Sequence, residues 1–301
     1  MNPNTKIILE SLEDSPQLAE QNRLALDLRR EEAARLGQEA VALIEAGGYT
    51  SPKGQFVSLQ ASVERASLQR VSLPPLAPLP SGSALPTAPI LRLSVKNRTT
   101  MEASQSLIAQ GKRPLALNFA APVHPGGGFL RGSRAQEETI ARSSGLYATL
   151  KDDPMYAYHA AHDSLTATDW AILSPDVPVF RTDSGTLLEE TWSLSILTCA
   201  APQAVRMPIC PPGLMESRID RVLLIAQAYG YRTLVLGAWG CGAFGNDPGV
   251  VSNLFRKAIM EKFLGDFEGI VFAISDWSPD RRFLTPFQSE FERAIASPRH
   301  K

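Results

Sequence analysis

Cysteine is scarce in this chain, and the few cysteines present form no recognisable set. Cys199, Cys210 and Cys241 are odd in number, and no two of them are spaced as CxxC. Disulfide frameworks use even numbers of cysteines in secreted domains, and structural zinc sites pair cysteines at short spacing. The sequence therefore argues against both architectures and favours a reducing compartment.

Long apolar runs and a strong charge of one sign are also missing. No stretch approaches the roughly eighteen apolar residues of a membrane helix, and residues 1–14 lack the basic and apolar regions of a signal peptide. The formal net charge of −1 gives no strongly basic nucleic-acid footprint, although a local basic strip stays open. We predict a cytoplasmic protein with no membrane partner and no direct nucleic-acid footprint.

The N-terminal part is predicted to be largely helical. Apolar residues recur at helical spacing from Gln17 to Ala46, and Gly47-Gly48 would end that helix. A short strand pattern follows at Gln55 to Gln60. From Leu73 to Pro89 the chain is rich in proline, serine and alanine, which is typical of a linker or a surface loop.

The remainder alternates between strand and helix patterns. We therefore divide the chain into an N-terminal helical extension (1–72) that packs on the core, a Pro-rich linker or loop (73–89) and an α/β domain (90–301) with a largely parallel or mixed sheet. A capping box from Thr99 to Glu102 opens the first helix of that domain, which should close at Gly111. The predicted strands are Ile90–Val95, Pro114–Phe119, Leu194–Cys199, Thr233–Leu236 and Ile270–Ser275, and the further helices are Ala135–Leu150, Leu214–Tyr229, Val250–Phe263 and Phe287–Ala296.

Three consecutive glycines follow one of these strands. Gly126, Gly127 and Gly128 come just after Pro125, and seven residues separate them from Gln136-Glu137-Glu138. Glycine lets the backbone approach a ligand closely, and paired carboxylates beyond such a loop indicate acid–base chemistry on a bound phosphorylated sugar. Two plainer interpretations stay open: a tight connection, and acids that only oppose the helix dipole.

A second glycine-rich loop follows the strand Thr233–Leu236. It matches GxGxxG, but it lies too late in the chain for a Rossmann fingerprint, and no GxxxxGK[ST] is present. The glycines could simply allow a turn into the next helix. Together with the first loop, they indicate an anion nest suited to a diphosphate. The loop residues concerned are Gly240, Cys241, Gly242, Ala243, Phe244, Gly245 and Asn246.

These segments, in this order, resemble the catalytic stretch of the microbial-type poly(ADP-ribose) glycohydrolases, which are macrodomain proteins. The resemblance rests on Asn118-Phe119-Ala120, the PGGG run, the QEE motif and the second loop, and it extends through Ser174–Phe180 and Cys199–Pro202. It covers most of Ile90 to Trp277. It implies a macrodomain-like three-layer α/β/α fold with a mixed, largely parallel central sheet, plus an N-terminal helical extension.

The resemblance also implies roles for individual residues. Glu138 would be the catalytic acid, Glu137 would bind ribose hydroxyls and Gln136 would support the pair. Asn118 would help to orient the ribose and the loop, and Gly126, Gly127 and Gly128 would wrap the distal ribose and diphosphate. The run from Gly240 to Asn246 would hold the diphosphate, with Phe244 against the distal ribose.

The implied reaction is hydrolysis of the ribose–ribose O-glycosidic bond of poly(ADP-ribose), releasing ADP-ribose without a metal or cofactor. Glycosidic cleavage needs a protonated carboxyl at the departing oxygen, and a carboxyl near a diphosphate and another carboxylate should retain its proton, which favours Glu138. Two alternatives stay open: a non-catalytic ADP-ribose reader, and a hydrolase of mono-ADP-ribosylated protein, nucleic acid or metabolite.

Other candidate residues have plainer interpretations. His159 and His162, beside Asp163, have a possible metal spacing, but we favour structural or surface roles. Cys241 lacks an evident histidine partner, so we do not assign it as a nucleophile. We expect His124 to be a tolerated turn residue, although it departs from the asparagine usual in the family. Arg131 and Arg134 are either solvated or in contact with polymer phosphates. We assign Phe272 and Trp277 to core or loop packing in preference to base stacking.

Overall fold

The computed structural model describes residues 5–80, 86–207 and 213–296. Cys210 and residues 81–85 of the predicted linker lie outside the described residues. No helix of the described chain combines the length and the apolar character needed to cross a bilayer. The strands are β1 (Lys6–Glu13), β2 (Gly48–Thr50), β3 (Phe56–Ser58), β4 (Val71–Leu73), β5 (Ile90–Lys96), β6 (Pro114–Phe119), β7 (Ala171–Arg181), β8 (Leu187–Cys199), β9 (Thr233–Leu236) and β10 (Gly269–Ala273).

Helices separate most of these strands. A 3-10 turn at Phe129–Arg131 precedes α5, and a π-helical segment, Ala258–Lys262, continues α9. The α-helices are α1 (Pro16–Leu26), α2 (Arg30–Glu45), α3 (Gln60–Gln69), α4 (Thr100–Ala109), α5 (Gln136–Ser143), α6 (Leu146–Leu150), α7 (Pro154–Ala161), α8 (Leu214–Ala228), α9 (Pro248–Lys257) and α10 (Leu284–Ala296).

The contacts divide the chain into two compact units. Unit 1 comprises Met1–Asn22, Ala77–Leu115 and Ala201–Lys301, and unit 2 comprises Arg23–Leu76 and Ala116–Ala200. Each unit therefore combines segments that are distant in sequence.

Parallel strands form the sheet of unit 1. β1 pairs with β5, β5 with β10 and β10 with β9, all in parallel. Phe272 of β10 packs against Phe255, Phe287 and Phe291, with ring centroids 5.5, 5.3 and 4.8 Å away. Apolar burial of this kind is the main favourable contribution to folding, and it fixes α9 and α10 on the sheet.

Antiparallel strands dominate unit 2. β7 pairs with β8 and with β4, and β2 pairs with β3 as a separate hairpin. Most of β6 belongs to this unit, where it lies beside β8 in the strand order. A buried cluster of Ala40, Tyr49, Leu59 and Phe180 joins α2, the hairpin and β7. The predicted α/β class with a mixed sheet is confirmed, because parallel and antiparallel pairs are both present.

Several predicted elements are confirmed at the residue level. Pro114–Phe119 and Thr233–Leu236 are strands with the predicted bounds. The Thr99–Glu102 capping box is formed, since the Thr99 hydroxyl accepts from the Glu102 N–H at 3.0 Å and the Glu102 carboxylate accepts from the Thr99 N–H at 3.2 Å. Gly111, where we expected the helix to close, has a φ of +74°. These signals are local, which explains why the sequence reveals them.

The single helix predicted from Gln17 to Ala46 is wrong, because the structure has α1 and α2 with a break at residues 27–29. Arg29 is extended, with φ −64° and ψ 146°. Arg134 donates to the Leu28 carbonyl at 2.5 Å and to the Asp27 carboxylate at 2.8 Å. These contacts come from a residue more than a hundred positions away, and they hold the break against the local helical pattern.

The single helix predicted from Ala135 to Leu150 is also wrong, since α5 and α6 are separated at Ser144. Ser144 is extended and forms an isolated bridge with Val179 of β7, and the Gly145 N–H donates to the Pro178 carbonyl at 2.8 Å. Backbone pairing with a strand replaces helical hydrogen bonds here. The break follows from this tertiary contact, which the helical pattern cannot show.

Candidate active site

Gln136 ties the start of α5 to the end of β6 in unit 2. Its side-chain Oε1 accepts from the Phe119 N–H at 2.9 Å, and its Nε2 donates to the Leu117 carbonyl at 2.7 Å. One amide side chain thus satisfies a donor and an acceptor of the strand. These two bonds fix the first turn of the helix, from which Glu137 and Glu138 project.

Glu137 is buried, with 2% of its surface exposed. Its Oε1 accepts from Asn118 Nδ2 at 3.4 Å and its Oε2 accepts from the Ala121 N–H at 2.6 Å. Burial raises the pKa of Glu137 well above its ordinary value, and the negative charge of Glu138 raises it further. Glu137 is therefore held by two hydrogen bonds in a buried place that favours its protonated form.

Glu138 is almost as buried, with 8% of its surface exposed. Its Oε1 accepts from the Gly128 N–H at 2.9 Å. Its Oε2 is buried and has no hydrogen-bond partner in the described part of the chain. One carboxylate oxygen is thus held by the glycine loop, while the other has no hydrogen-bond partner among the described residues.

The triple glycine brings bare backbone against these two carboxylates. Gly126 and Gly127 have φ values of +70° and +63°, in the left-handed region that favours glycine. A Cβ on Gly127 would lie 2.3 Å from Glu138 Oε1 and 2.9 Å from Glu137 Oε2. A Cβ on Gly128 would lie 2.3 Å from Ser133 Oγ. The positive φ values favour glycine at Gly126 and Gly127, and the missing Cβ lets the Gly127 backbone lie directly against both carboxylates.

Asn118 lies beneath this arrangement at the end of β6. It is fully buried, and its Nδ2 donates to Thr198 Oγ1 at 3.2 Å in addition to Glu137. Within the described residues its Oδ1 has no hydrogen-bond partner. Asn118 thus orients the Glu137 carboxylate through one hydrogen bond.

Sequence reasoning missed two buried polar residues near the glutamates. Arg142 lies four positions after Glu138 on α5 and is fully buried, and burial lowers the pKa of its guanidinium to about 10. Tyr156 of α7 is 5% exposed, and burial together with the charges of Glu137 and Asp153 raises the pKa of its hydroxyl. The i,i+4 spacing could have drawn attention to Arg142. No local signal identifies Tyr156.

The second glycine-rich loop lies in unit 1, between β9 and α9. Asn246 Nδ2 donates to the carbonyls of Pro202 at 2.8 Å and Gly240 at 3.0 Å, and so closes the loop on itself. Gly240 has a φ of +74°, and a Cβ there would lie 2.6 Å from Asn246 Nδ2. Gly242 has open space around it, and both Gly242 and Ala243 are exposed.

Three further residues of this loop have distinct environments. Gly245 has a φ of +70°, and a Cβ there would lie 2.7 Å from the Val205 Cβ. The half-buried Phe244 accepts from the Val205 N–H through its carbonyl at 2.9 Å. Asp247 caps α9, since its Oδ1 accepts from the Val250 N–H at 2.9 Å. The loop is held by contacts within itself and with Pro202 and Val205, and Gly242 and Ala243 are exposed.

Comparison with known proteins places this arrangement in a family. A solved structure of poly(ADP-ribose) glycohydrolase from Thermomonospora curvata is 37% identical, with a TM-score of 0.80, and the match covers 87% of this chain and 100% of that chain. The chain belongs to the microbial-type poly(ADP-ribose) glycohydrolases. The family model described as "Microbial-type PARG, catalytic domain" matches residues 37–182 of this glycohydrolase homologue, which include the triple glycine and the QEE motif.

Two further solved structures of glycohydrolases extend the comparison. The T. curvata enzyme bound to the inhibitor ADP-HPD is 38% identical to this family member, with a TM-score of 0.80 and the same coverage. A Deinococcus radiodurans enzyme in complex with ADP-ribose is 34% identical, with a TM-score of 0.69 and a match covering 79% of this chain and 99% of that chain. A search of curated protein sequences found no match.

The histidines and cysteines of this glycohydrolase family member have structural contacts. His159 is buried and uses both ring nitrogens, toward the Pro122 carbonyl at 3.1 Å and Thr168 Oγ1 at 2.8 Å, whereas His162 stacks on Tyr158. Burial raises the pKa of the Cys241 thiol to about 12, which keeps it protonated. The described residues contain no group of three or more His, Cys, Asp or Glu side chains placed to hold a metal ion.

The remaining candidates lie as follows. His124 is exposed and its carbonyl accepts from the Gly127 N–H at 2.9 Å, which is a turn contact. Arg131 is exposed. Arg134 donates to the Asp27 carboxylate at the break between α1 and α2. Phe272 is fully buried, in keeping with core packing, whereas Trp277 is 40% exposed, which leaves loop packing for Trp277 as a prediction. Trp277 follows the end of β10, beyond the last buried positions of that strand.

Proposed function

We propose that this protein hydrolyses the ribose–ribose O-glycosidic bond of poly(ADP-ribose) and releases ADP-ribose. The observation that supports this most directly is the convergence of two buried carboxyls on the Cβ-free Gly127. A protein that only binds ADP-ribose gains nothing from burying two adjacent carboxyls, whereas glycoside hydrolysis needs a placed proton donor. The family membership supports the same substrate, since the related solved structures are poly(ADP-ribose) glycohydrolases.

In this scheme Glu138 is the general acid and then the general base. Its Oε1 is held by the Gly128 N–H, and we assign the proton transfer to Oε2, which has no hydrogen-bond partner among the described residues. Glu138 gives that proton to the departing ribose oxygen as the bond from the anomeric carbon breaks and the sugar becomes oxocarbenium-like. The resulting carboxylate takes a proton from the water that attacks the anomeric carbon. The proton balance closes without a metal or a cofactor.

Glu137 is assigned to binding ribose hydroxyls. Its two oxygens are held by Asn118 and Ala121, so the carboxyl presents a fixed acceptor to the sugar. Asn118 acts through Glu137, because it is fully buried. Gln136 acts through the position of the helix start. The backbone of Gly126–Gly128 is assigned to close contact with the distal ribose and diphosphate.

The second loop is assigned to diphosphate binding through its backbone amides. Gly242 and Ala243 are adjacent exposed positions where we expect a ligand to reach the backbone, and Phe244 is assigned to a ribose contact. Asp247 already caps α9, so the proposed anion contacts fall to the loop itself. We assign the activity to the cytoplasm, in keeping with Cys199 and Cys241, which form no disulfide in the described chain.

The test is substitution of Glu138 by glutamine, which keeps the shape of the side chain and removes the acid. We expect Glu138→Gln to lower turnover of poly(ADP-ribose) at least about 10²-fold while ADP-ribose affinity stays within about tenfold, the usual scale for losing an acid–base group. Turnover is measured on automodified polymer by gel, and affinity by calorimetry. Glu64→Gln, at an exposed position of α3, is the matched control and should be unchanged.

The same assay distinguishes the alternatives. Wild-type protein is incubated in parallel with polymer, mono-ADP-ribosylated protein and mono-ADP-ribosylated DNA. Binding of ADP-ribose without cleavage of any substrate would identify a reader. Cleavage of only a mono-ADP-ribosylated substrate would show that the protein is a hydrolase whose substrate is mono-ADP-ribose and not the polymer. Unchanged polymer cleavage by Glu138→Gln would remove Glu138 from the mechanism.

A further inference from the structure

The segment between the triple glycine and α5 is held from outside by α2. We call residues 129–134 the connecting turn. Arg30 Nε donates to the Arg131 carbonyl at 3.1 Å, and Gln38 Nε2 donates to the Leu130 carbonyl at 3.3 Å. Both donors lie on α2, and both acceptors are backbone atoms of the turn. Two side chains of α2 thus donate hydrogen bonds to backbone carbonyls for which the turn provides no donor of its own in the described chain.

Gly37 brings the two backbones into direct contact. It is buried in the middle of α2, and a Cβ at this position would lie 2.4 Å from the Phe129 carbonyl oxygen and 2.9 Å from the Phe129 carbonyl carbon. On the turn, Gly132 has a φ of +82°, and a Cβ there would lie 2.1 Å from the Arg30 carbonyl oxygen. Glycine weakens a helix interior, so its presence in α2 indicates a demand from packing.

The connecting turn leads directly to the hydrogen bond that orients Glu138. The Gly128 carbonyl accepts from the Arg131 N–H at 2.9 Å and from the Ser133 N–H at 3.1 Å. The Gly128 N–H in turn donates to Glu138 Oε1 at 2.9 Å. A displacement of the turn therefore moves the peptide units on either side of Gly128. It changes the distance from the Gly128 N–H to the carboxylate.

We propose that α2 positions the catalytic glutamate: Arg30, Gly37 and Gln38 fix the connecting turn so that the Gly128 N–H stays at Glu138 Oε1. These three are positioning residues, since they act through the turn and touch none of the reacting groups. The kinetic part rests on the proposed function, because it requires that Glu138 carries the chemistry. The geometric part does not, because it concerns the Gly128 N–H alone.

Gly37→Ala separates positioning from general stability. Alanine is more favourable than glycine in a helix interior. If Gly37→Ala acted only on the stability of α2, the variant would be at least as stable as the wild type. The positioning role predicts that the activity of Gly37→Ala is lower than that of the wild type, because the new methyl group pushes the Phe129 carbonyl away. Ala42→Gly is the matched control, since it weakens the same helix at an exposed position.

Arg30 and Gln38 provide a second, milder pair of tests. Arg30→Ala and Gln38→Ala each remove one hydrogen bond to the turn, whereas Arg30→Lys keeps a donor that can reach the Arg131 carbonyl. Arg35→Ala is the matched control, because Arg35 pairs only with Glu32 and Glu39 within α2 in the contacts of the described chain.

The first readout is independent of catalysis. Hydrogen exchange of the peptide that contains Gly128 is measured in the full-length protein, because exchange reports local opening of a hydrogen-bonded amide. We expect faster exchange in Gly37→Ala, Arg30→Ala and Gln38→Ala, and wild-type exchange in Ala42→Gly, Arg35→Ala and Arg30→Lys. Equal exchange in Gly37→Ala and the wild type overturns the proposal, whatever the enzyme does.

The second readout is steady-state turnover of poly(ADP-ribose). We expect Gly37→Ala to lower kcat at least about tenfold with KM within about threefold, because misplacing a reacting group by a fraction of an ångström to an ångström costs mainly the chemical step. In a Glu138→Gln background the Gly37→Ala effect should disappear, because the contact acts through Glu138. An equal loss in that background overturns the proposal. A wild type that cleaves no polymer refutes the proposed function, and the exchange experiment still decides the positioning.

Discussion

Glu137 and Glu138 are consecutive carboxyls in a buried place, and they have different surroundings. Glu137 accepts two hydrogen bonds from Asn118 and Ala121, whereas Glu138 accepts one from Gly128 and keeps the second oxygen without a partner in the described chain. Consecutive residues of a helix point about 100° apart, so the two side chains cannot share one function. Their different partners support a binding role for Glu137 and a proton-transfer role for Glu138.

The raised pKa of Glu137 makes the stability of the protein depend on pH. The folded state binds this proton more tightly than the unfolded chain does, so the stabilisation is complete below the unfolded pKa. It is lost as pH rises toward the folded pKa, at no more than about 1.4 kcal/mol per pH unit. Glu137→Gln removes the titrating group. We expect the variant to gain stability relative to the wild type between pH 5 and pH 8, in urea unfolding at several pH values.

Glu64→Gln serves as the control for that experiment, because it removes an exposed carboxyl instead of a buried one. Its difference from the wild type should stay constant with pH. A Glu137→Gln difference that is equally constant would show that the buried carboxyl does not hold an extra proton in the folded state.

Cys241 lies in a glycine-rich loop but is protected from chemistry by burial. At a pKa of about 12, only roughly one thiol in 10⁴ is ionised at pH 8. We expect alkylation of native Cys241 by iodoacetamide to be at least about 10²-fold slower than that of a free thiol, since only the thiolate reacts. Peptide mass spectrometry measures the modification, with urea-unfolded protein as the reactive reference. Rapid native labelling would restore Cys241 as a candidate nucleophile.

Among the helices and strands, the sequence predicts the features that depend on residues close together in the chain. The capping box at Thr99 and the strand Thr233–Leu236 have signals within a few residues, and both are present. The break at residues 27–29 depends on Arg134, and the break at Ser144 depends on Val179. Periodic apolar residues continue through both breaks, so the pattern alone predicts a continuous helix.

The Thr99 cap stabilises α4 by a measurable amount. Its hydroxyl accepts from the Glu102 N–H, which would otherwise be one of the unpaired donors of the first turn. Thr99→Ala should lower the free energy of unfolding by about 1 kcal/mol, and Thr99→Ser, which keeps the oxygen, should lower it less. Urea unfolding of the three proteins tests this. Equal losses in the alanine and serine variants would mean that the cost arises from the lost methyl group and not from the cap.

Over the whole molecule, the sequence pattern misses strands for different physical reasons, as β1 and β7 show. β1 contains charged residues and is fixed by parallel pairing with β5, more than eighty positions away. β7 contains Pro175 and Pro178, which argue against a strand, but a register shift between Ser174 and Val177 absorbs the irregularity. The i,i+4 spacing from Glu138 draws attention to Arg142, but no local pattern shows that this charged side chain is fully buried. The motif residues of the site can be recognised from short stretches of sequence. The burial of the residues around them depends on contacts with distant parts of the chain, which short stretches do not show.

Ligand binding should be visible in the stability of the whole protein. A ligand that binds only the native state adds about 2.7 kcal/mol at a concentration one hundred times its Kd. For a chain of this size that corresponds to a rise in Tm of about 4 °C. We expect ADP-ribose to produce this rise in differential scanning fluorimetry, and Glu138→Gln to show it equally, because the acid contributes to turnover and not to affinity. AMP, which lacks the distal ribose and the diphosphate, should give a much smaller rise. An equal rise with AMP would show that the glycine loops contribute nothing to binding and that the nucleotide alone is recognised.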